Sequence, residues 1–157
     1  MARRIMQPPA AAGFSLIELM VTVTIAAILL AIAIPGYQTF IRKGRRTEAK
    51  TAVLDLAGRE ETLFSTTNAY SNVPSAVGYG AGVFPLNFGN NYYTIAATVP
   101  NPAAPAGTPS FLVTAVPAAG SSQLLDTNCQ AFTVDQLGTQ KATDAGGADT
   151  SASCWGN

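Results

Sequence analysis

An uninterrupted apolar stretch near the N-terminus constrains this chain more than any other feature. Residues 14–34 read FSLIELMVTVTIAAILLAIAI, and these 21 residues contain one charged side chain, Glu18. A helix of that length measures roughly 31 Å, which matches a bilayer hydrocarbon core of about 30 Å. The stretch is therefore predicted to be a helix that can cross a membrane.

Glu18 argues against the two ordinary explanations of this stretch. Arg3 and Arg4 precede it, as in a cleaved secretory signal, and residues 31–33 offer an A-x-A cleavage site for such a signal. A carboxylate in the apolar region would cost about 2.5 kcal/mol or more near the bilayer centre, and a plain membrane anchor has no use for it. An ionisable side chain inside a membrane span therefore indicates a function that involves a partner.

The residues around Glu18 form a recognisable motif. The sequence GFSLIELM at residues 13–20, followed by the apolar helix and Pro35, resembles the N-terminus of type IV prepilins, and the resemblance covers residues 13 to about 40. It implies cytoplasmic cleavage between Gly13 and Phe14 by a prepilin peptidase, with residues 1–13 as the leader peptide, and N-methylation at Phe14. This leader is longer than the commonest ones in the family, so either the chain starts at Met6 or its leader is a longer variant.

The motif also implies a role for Glu18 in assembly. Cleavage frees an α-amine at Phe14, and Glu18 follows four residues later on nearly the same helix face. The carboxylate can neutralise this amine or that of a neighbouring chain, and the residues alone leave both pairings open. The resemblance implies the pairing between chains, which would fix the axial register of residues 14–34, the polymerisation helix.

The pattern becomes one-sided after the apolar stretch. Residues 35–68 are predicted to continue the helix after a kink or local opening at Pro35-Gly36, and polar residues 65–68 are predicted to end it. Apolar side chains recur at helical spacing at Tyr37, Phe40, Ile41, Ala49, Ala52, Val53, Leu56, Leu63 and Phe64. This half of the helix is therefore predicted to pack on a sheet.

A basic cluster lies largely outside that stripe and consists of Arg42, Lys43, Arg45, Arg46 and Lys50. The preferred interpretation is a solvated face near lipid headgroups. A surface for acidic groups of neighbouring subunits comes second, and a nucleic-acid site comes third. The cluster conflicts with a periplasmic domain, because five cations on this flank favour the cytoplasm under the positive-inside rule. The prepilin motif and the cysteine pair favour a periplasmic domain, and they outweigh the count of cations on this flank.

Residues 69–157 are predicted to form a small globular β domain. Strands are predicted at residues 92–99, 110–116, 131–135 and 139–143, and the last two are joined by a hairpin across residues 136–138. Residues 100–109 are predicted to be a flexible or polyproline-like excursion. Residues 70–88 are predicted to be a long irregular link. The fold class is therefore α+β, with a long N-terminal helix packed on a small antiparallel β-sheet, as the pilin resemblance also implies.

Cys129 and Cys154 are the two cysteines, and in an exported protein such a pair indicates a disulfide. The bond would close a loop of about 26 residues and contribute on the order of 3 kcal/mol. Two buried free thiols are the alternative. In pilins a disulfide here bounds an exposed C-terminal region, which the resemblance implies for residues 129–154.

The sequence lacks a catalytic pattern. It contains no His, so Ser-His-Asp and Cys-His arrangements are impossible. The aspartates near the C-terminus lack calcium-loop spacing. An enzyme is therefore the least favoured class, and no cofactor or metal is expected. From Ala69 onward the one cation, Lys141, faces four aspartates, a net charge of −3 that offers little attraction to a polyanion.

The resemblance implies a structural function, as a major or minor subunit of a type IV pilus that supports adhesion and twitching motility. The small domain with one disulfide resembles a minor pilin of the PilE type as much as a major subunit. The expected partners are other pilin subunits, inner-membrane lipid before assembly, prepilin peptidase and the pilus assembly machinery.

The implied location is the inner membrane of a Gram-negative bacterium, as a single-pass protein with a periplasmic domain, and then the extracellular filament. One alternative is a type II secretion pseudopilin, which the disulfide and the absence of a calcium-like acidic loop disfavour. The other is a DNA-uptake (competence) pilin, which the acidic distal domain disfavours. Nucleic acid is therefore not an expected partner.

Overall fold

The computed structural model describes residues 13–156, and these divide into one unit that ends at Gln38 and a second that begins at Thr39. Helix α1, Leu16–Thr67, contributes to both units. It continues through Pro35 and Gly36 without interruption, so the predicted local opening is wrong. Proline removes one backbone donor, but the surrounding turns keep their helical assignment.

The C-terminal end of α1 lies where the polar residues predict it. Asn68 adopts the left-handed backbone conformation with φ of 56°, and its N–H donates to the carbonyl of Phe64 at 2.8 Å. A left-handed residue directly after the last turn closes a helix by satisfying one of its free carbonyls.

The second unit contains a five-stranded antiparallel sheet whose strands follow the chain order. The strands are β1 Leu86–Phe88, β2 Tyr93–Thr98, β3 Leu112–Pro117, β4 Ala131–Asp135 and β5 Gln140–Thr143. The four predicted strands are confirmed to within about two residues at their ends. β1 was missed, because three residues are too few to show an alternating pattern.

The predicted hairpin between β4 and β5 is also confirmed. Gly138 takes φ of 73°, and its N–H donates to the carbonyl of Asp135 at 2.9 Å. The Asp135 carboxylate accepts the backbone N–H groups of Leu137 and Thr139 at 2.9 and 2.8 Å. Glycine is the residue that adopts this left-handed backbone without strain.

One face of the sheet packs against the C-terminal part of α1. Alternate strand residues such as Ile95, Val113 and Phe132 are fully buried, as the period of two requires. The helix contributes the buried residues Ala49, Ala52, Val53, Leu56 and Ala57 to the same core. The apolar stripe is therefore confirmed from Ala49 to Leu56. Its first members are not buried, because Tyr37 and Phe40 are 66% and 72% exposed.

The link between helix and sheet is more ordered than the sequence predicts. It contains a 3₁₀ turn at Pro74–Val77 and ends in β1. Tyr70 stacks on Phe64 at a centroid distance of 4.5 Å and meets the ring of Phe111 edge-on at 4.8 Å. This aromatic stack attaches the start of the link to both the helix and the core.

Candidate functional site

The predicted processing residues lie just before α1. Gly13, Phe14 and Ser15 precede the first helical residue, and Phe14 is 76% exposed. The Ser15 carbonyl accepts the first helical hydrogen bond, from Leu19 N–H at 3.2 Å. The rest of the predicted leader, including Arg3, Arg4 and both candidate start residues, lies outside the described residues.

Glu18 lies in the first turn of α1 and is exposed. Its carboxylate makes no hydrogen bond or ion pair within residues 13–156. The two threonines that follow behave differently, because the hydroxyls of Thr22 and Thr24 donate to carbonyls of their own helix at 2.9 and 2.8 Å. Glu18 is thus a charged group in this segment that has no partner among residues 13–156.

The surface around Glu18 is apolar on all sides. Every residue from Gly13 to Phe40 is exposed, and the large hydrophobic side chains there are at least half exposed. By length and composition α1 contains one stretch that could cross a membrane. Such a surface is unfavourable in water, so it requires lipid or protein to cover it.

The basic cluster, by contrast, is mostly engaged by the domain itself. The Arg46 guanidinium forms a two-pronged ion pair with the Asp126 carboxylate, with Nε and Nη2 each 2.7 Å from an oxygen. The hydrogen bond with Asp126 raises the pKa of Arg46. Arg45 lies over the Tyr92 ring at 3.8 Å and donates to the Ser122 hydroxyl. The predicted solvated face is therefore wrong for these two arginines.

Lys50 is also turned toward the domain. Its ammonium donates to the Trp155 carbonyl at 3.1 Å, and burial together with the nearby Arg46 charge lowers its pKa. Trp155 in turn meets Phe132 edge-on at 5.7 Å. The C-terminal turn Ala152–Gly156 is thus attached to both the helix and the core.

A buried polar network lies behind the Arg46–Asp126 pair. Gln123 is fully buried, and its amide donates to the Tyr93 hydroxyl at 2.8 Å and to the Arg42 carbonyl at 3.2 Å. Burial raises the pKa of Tyr93 to about 12. Because these bonds join the loop before β4, the sheet and the helix, the network fixes the loop on α1.

Cys129 and Cys154 form the predicted disulfide, with a Cα–Cα distance of 5.8 Å. Both residues are buried, and the bond encloses β4, β5 and the turn that follows them. No group of three or more His, Cys, Asp or Glu side chains that could hold a metal ion occurs in residues 13–156.

Glu60 is a notable residue that sequence reasoning missed. It is fully buried beside Leu56 and Leu63, and its Oε2 accepts the Ser71 N–H at 3.0 Å while Oε1 has no partner. Burial raises the pKa of its carboxyl. The burial of Glu60 could have been predicted from its spacing, since Glu60 follows Leu56 by four residues and so falls on the apolar stripe.

Two family models match this chain. Residues 35–133 match the model described as type IV minor pilin ComP, DNA uptake sequence receptor. Residues 9–34 match the prokaryotic N-terminal methylation motif. The first match covers more than half of the chain, and the second contains Gly13, Phe14 and Glu18.

Proteins similar to this chain carry pilin, fimbrial or prepilin peptidase-dependent names. The chain is 40% identical over 67 residues to the type IV major pilin protein PilA of Myxococcus xanthus, covering 43% of this chain and 30% of that protein. It is 37% identical over 112 residues to fimbrial protein Q of Moraxella bovis, covering 57% of this chain and 69% of that protein. It is 44% identical over 71 residues to the prepilin peptidase-dependent protein D of Escherichia coli, covering 40% of this chain and 48% of that protein.

The chain thus spans less than two thirds of the length of two of these three relatives. The chain covers 69% of fimbrial protein Q. That match, the N-terminal methylation motif and the packing of a long helix on a sheet all indicate the same family. The chain belongs to the type IV pilin family, in the group described as type IV minor pilin ComP, DNA uptake sequence receptor.

Proposed function

We propose that this chain is a structural subunit of a type IV pilus that assembles through the N-terminal half of α1. The observation that best supports this function is the exposed apolar surface of residues 13–38, which contains one acid, Glu18. Lipid covers such a surface before assembly, and the equivalent helices of other subunits cover it afterwards. The folded domain that begins at Thr39 does not use this surface for its own core.

Processing prepares this helix for assembly. Prepilin peptidase cleaves between Gly13 and Phe14, and the new amine at Phe14 is N-methylated. Glu18 of one subunit then neutralises the terminal amine of a neighbour. Because an unpaired charge among packed helices is costly, the pair selects one axial register.

The subunit is a single-pass inner-membrane protein with its domain in the periplasm of a Gram-negative cell before assembly, and it is exposed on the extracellular filament afterwards. Its partners are the peptidase, the assembly machinery and other pilin subunits, and the filament supports adhesion and twitching motility. The boundaries that serve this function are residues 1–13 for the leader, 14–34 for the polymerisation helix, 35–68 for its amphipathic continuation and 69–157 for the β domain.

A pilus is favoured over a secretion pseudopilus. The three relatives described above carry pilin, fimbrial or prepilin peptidase-dependent names. The disulfide Cys129–Cys154 agrees with the same choice.

A second candidate function is DNA uptake as a minor pilin. The favouring observation is the family model over residues 35–133, whose description names a DNA uptake sequence receptor. The charges argue against DNA binding, because residues 69–157 have a net charge of −3 and much of the basic cluster is already engaged. Gel-shift titration of the full chain with duplex DNA separates the two functions.

The first experiment determines where the mature chain begins. We expect N-terminal sequencing or intact mass to give Phe14 with one added methyl group. A secretory signal cut after residue 33 would instead give Ile34, and a terminus there would exclude the pilin mechanism, because the helix would have been removed from the domain.

The second experiment tests Glu18 directly. Glu18→Val removes a carboxylate whose desolvation opposes insertion, so processing and membrane insertion should stay intact. The ratio of sheared-filament to membrane-retained protein should fall at least roughly tenfold, because leaving a buried amine unpaired costs several kcal/mol. Glu18→Asp should be intermediate, since its shorter side chain reaches less far.

Thr22→Val is the matched control, because its hydroxyl is bonded within its own helix and it should assemble normally. Immunogold labelling of filaments checks that the sheared material is pilus. Wild-type incorporation of the Glu18→Val variant would show that the charge pair does not drive assembly.

A further inference from the structure

A polar cavity of about 210 Å³ opens on the second unit near the start of its helical part. One wall is α1, with Thr39, Arg42, Lys43 and Arg46, and the other is formed by residues 125–128 just before the disulfide. The cavity is therefore lined by three cations and one acid, Asp126.

The acid and one of the cations neutralise each other. Asp126 is 6% exposed, and both of its oxygens are held by Arg46 at 2.7 Å. Lys43 makes no hydrogen bond or ion pair within residues 13–156. Arg42 has one long side-chain bond, 3.4 Å to the Thr39 hydroxyl. Two positive charges thus remain available to a ligand in this cavity.

The wall formed by residues 125–128 is held rigidly. The Asp126 carbonyl accepts the Cys129 N–H at 3.3 Å and the Gln130 amide at 3.1 Å, and Cys129 is fixed by its disulfide. The Gln123 amide bonds the Arg42 carbonyl and so joins this wall to the helix. Thr127 and Asn128 are exposed there and supply hydroxyl and amide groups. Two cations with neutral donors on a fixed frame suit an oxyanion, and a phosphate above all.

The position of the cavity in the sequence indicates the source of the phosphate. Arg42 follows the exposed Phe40 by two residues, and Tyr37 and Phe40 lie just after the apolar stretch of residues 14–34. Aromatic residues followed by cations are typical of the membrane–water interface, where cationic side chains reach headgroups. A duplex would present a long row of phosphates, whereas the cavity offers only two available cations beside residues 69–157, which carry a net charge of −3.

We propose that this cavity binds the phosphate headgroup of an anionic phospholipid while the subunit waits in the membrane. The inference rests on the proposed function, since it requires the membrane-anchored stage before assembly. Bound lipid would set the depth of the domain at the bilayer surface, and the subunit would give it up on entering a filament.

The test uses the full chain in detergent micelles and native mass spectrometry with added phosphatidylglycerol or phosphatidylcholine. Wild-type protein should retain phosphatidylglycerol more strongly, and the preference should weaken with salt. Lys43→Gln and Arg42→Gln should each reduce phosphatidylglycerol retention by about two- to fivefold, and the double variant by roughly tenfold. Lys141→Gln, which removes a cation from β5, is the matched control and should retain lipid like the wild type.

Three outcomes would overturn the proposal. Equal retention of the two lipids by the wild type, or unchanged retention by the double variant, would mean that the cavity does not select the anionic headgroup. Competition by a short DNA duplex that is stronger than competition by glycerol phosphate would assign the two cations to nucleic acid.

Filament assembly separates this inference from the proposed function. Glu18→Val should lose filaments and keep lipid selectivity, whereas Lys43→Gln should weaken phosphatidylglycerol retention and still form filaments. If Lys43→Gln loses filaments with lipid selectivity unchanged, then the cations serve a neighbouring subunit and the lipid site is wrong.

Discussion

The two units of this protein differ in what covers their apolar side chains. In residues 13–38 no described residue is buried, although almost every side chain is apolar. From Thr39 onward the helix and five strands enclose one core that includes Leu56, Tyr93, Phe111 and Phe132. The second unit therefore buries its own hydrophobic surface, whereas the exposed hydrophobic surface of the first requires lipid or other chains to cover it.

The difference arises within one continuous helix. The part before Gln38 is apolar on every face, whereas the part after Arg46 is apolar on one stripe and polar elsewhere. A helix that is apolar on every face needs lipid or protein around its whole circumference, whereas a helix with one apolar face can be covered by a single sheet. Substitutions in the two parts should consequently have separable effects, the first on assembly and the second on the stability of the domain.

The largest effect on the domain alone is expected from breaking its disulfide. Cys154→Ala should lower the free energy of unfolding by about 2–5 kcal/mol, because the reduced chain regains the entropy of an open loop. Membrane insertion of residues 14–34 should be unchanged. Chemical denaturation and membrane fractionation of the same preparation measure both quantities.

Ser153→Ala is the neighbouring control, since its hydroxyl bonds only locally, to the Thr150 carbonyl and the adjacent sulfur. Peptide mapping under non-reducing conditions should show residues 129 and 154 linked in the wild type. Free alkylation of both thiols in native protein, or loss of insertion in Cys154→Ala, would contradict the separation of the two units.

A smaller effect is expected from the ion pair that joins the helix to the loop before β4. Asp126→Asn leaves the Arg46 guanidinium, 12% exposed, without its carboxylate and should cost about 2–3 kcal/mol. Asp55→Asn breaks a similar pair with Arg59 whose side chains are more than 40% exposed, and it should cost less than about 1 kcal/mol. Thermal or urea unfolding of both variants measures the difference.

Equal costs for Asp126→Asn and Asp55→Asn would show that the loop is held by the disulfide and the Gln123 network alone. A double-mutant cycle with Arg46→Met would then return a coupling energy near zero.

The sequence predicted the long helix and the strands better than the connections within the domain. Residues 13–20 are recognisable because they form a short contiguous motif, which a family model also matches and which needs no tertiary structure to be seen. The helix stripe and four strands were predictable from their periods of 3.6 and two. Those signals are local and appear in any single stretch of chain.

The roles of the basic cluster were not predictable for the opposite reason. Arg46 and Asp126 are 80 residues apart, and their pairing follows only from the fold. Tyr37 and Phe40 match the stripe by spacing, but they are exposed, and the buried residues of the helix begin at Ala49. Periodicity shows which face of a helix is apolar, but it does not show at which residue the helix begins to pack against the sheet.

The smallest predicted effect concerns Glu60, which is the domain's counterpart of Glu18. Both carboxylates lie on an apolar face of α1. Glu60 is enclosed by its own domain and has one internal donor, the Ser71 N–H at 3.0 Å, whereas Glu18 has none within residues 13–156. Burial raises the pKa of Glu60, so the folded state holds a proton there more tightly than the unfolded chain does.

The sign of the pH dependence follows from that raised pKa. The folded state binds more protons between the unfolded carboxyl pKa of about 4.3 and the raised folded value, so stability falls as pH rises through this window.

Glu60→Gln keeps an oxygen for the Ser71 N–H but cannot ionise. We therefore expect it to flatten this part of the profile and to stabilise the domain at pH 7 by on the order of 1 kcal/mol. Urea titrations at pH 4, 5.5 and 7 measure the profile, with Glu61→Gln as the exposed neighbour. It should keep the slope and shift the window only slightly downward, because the Glu61 charge contributes less than burial to the raised pKa of Glu60. If Glu60→Gln were as sensitive to pH as the wild type, then Glu60 would be ionised at no cost in the folded domain, and the contrast with Glu18 would lie in exposure alone.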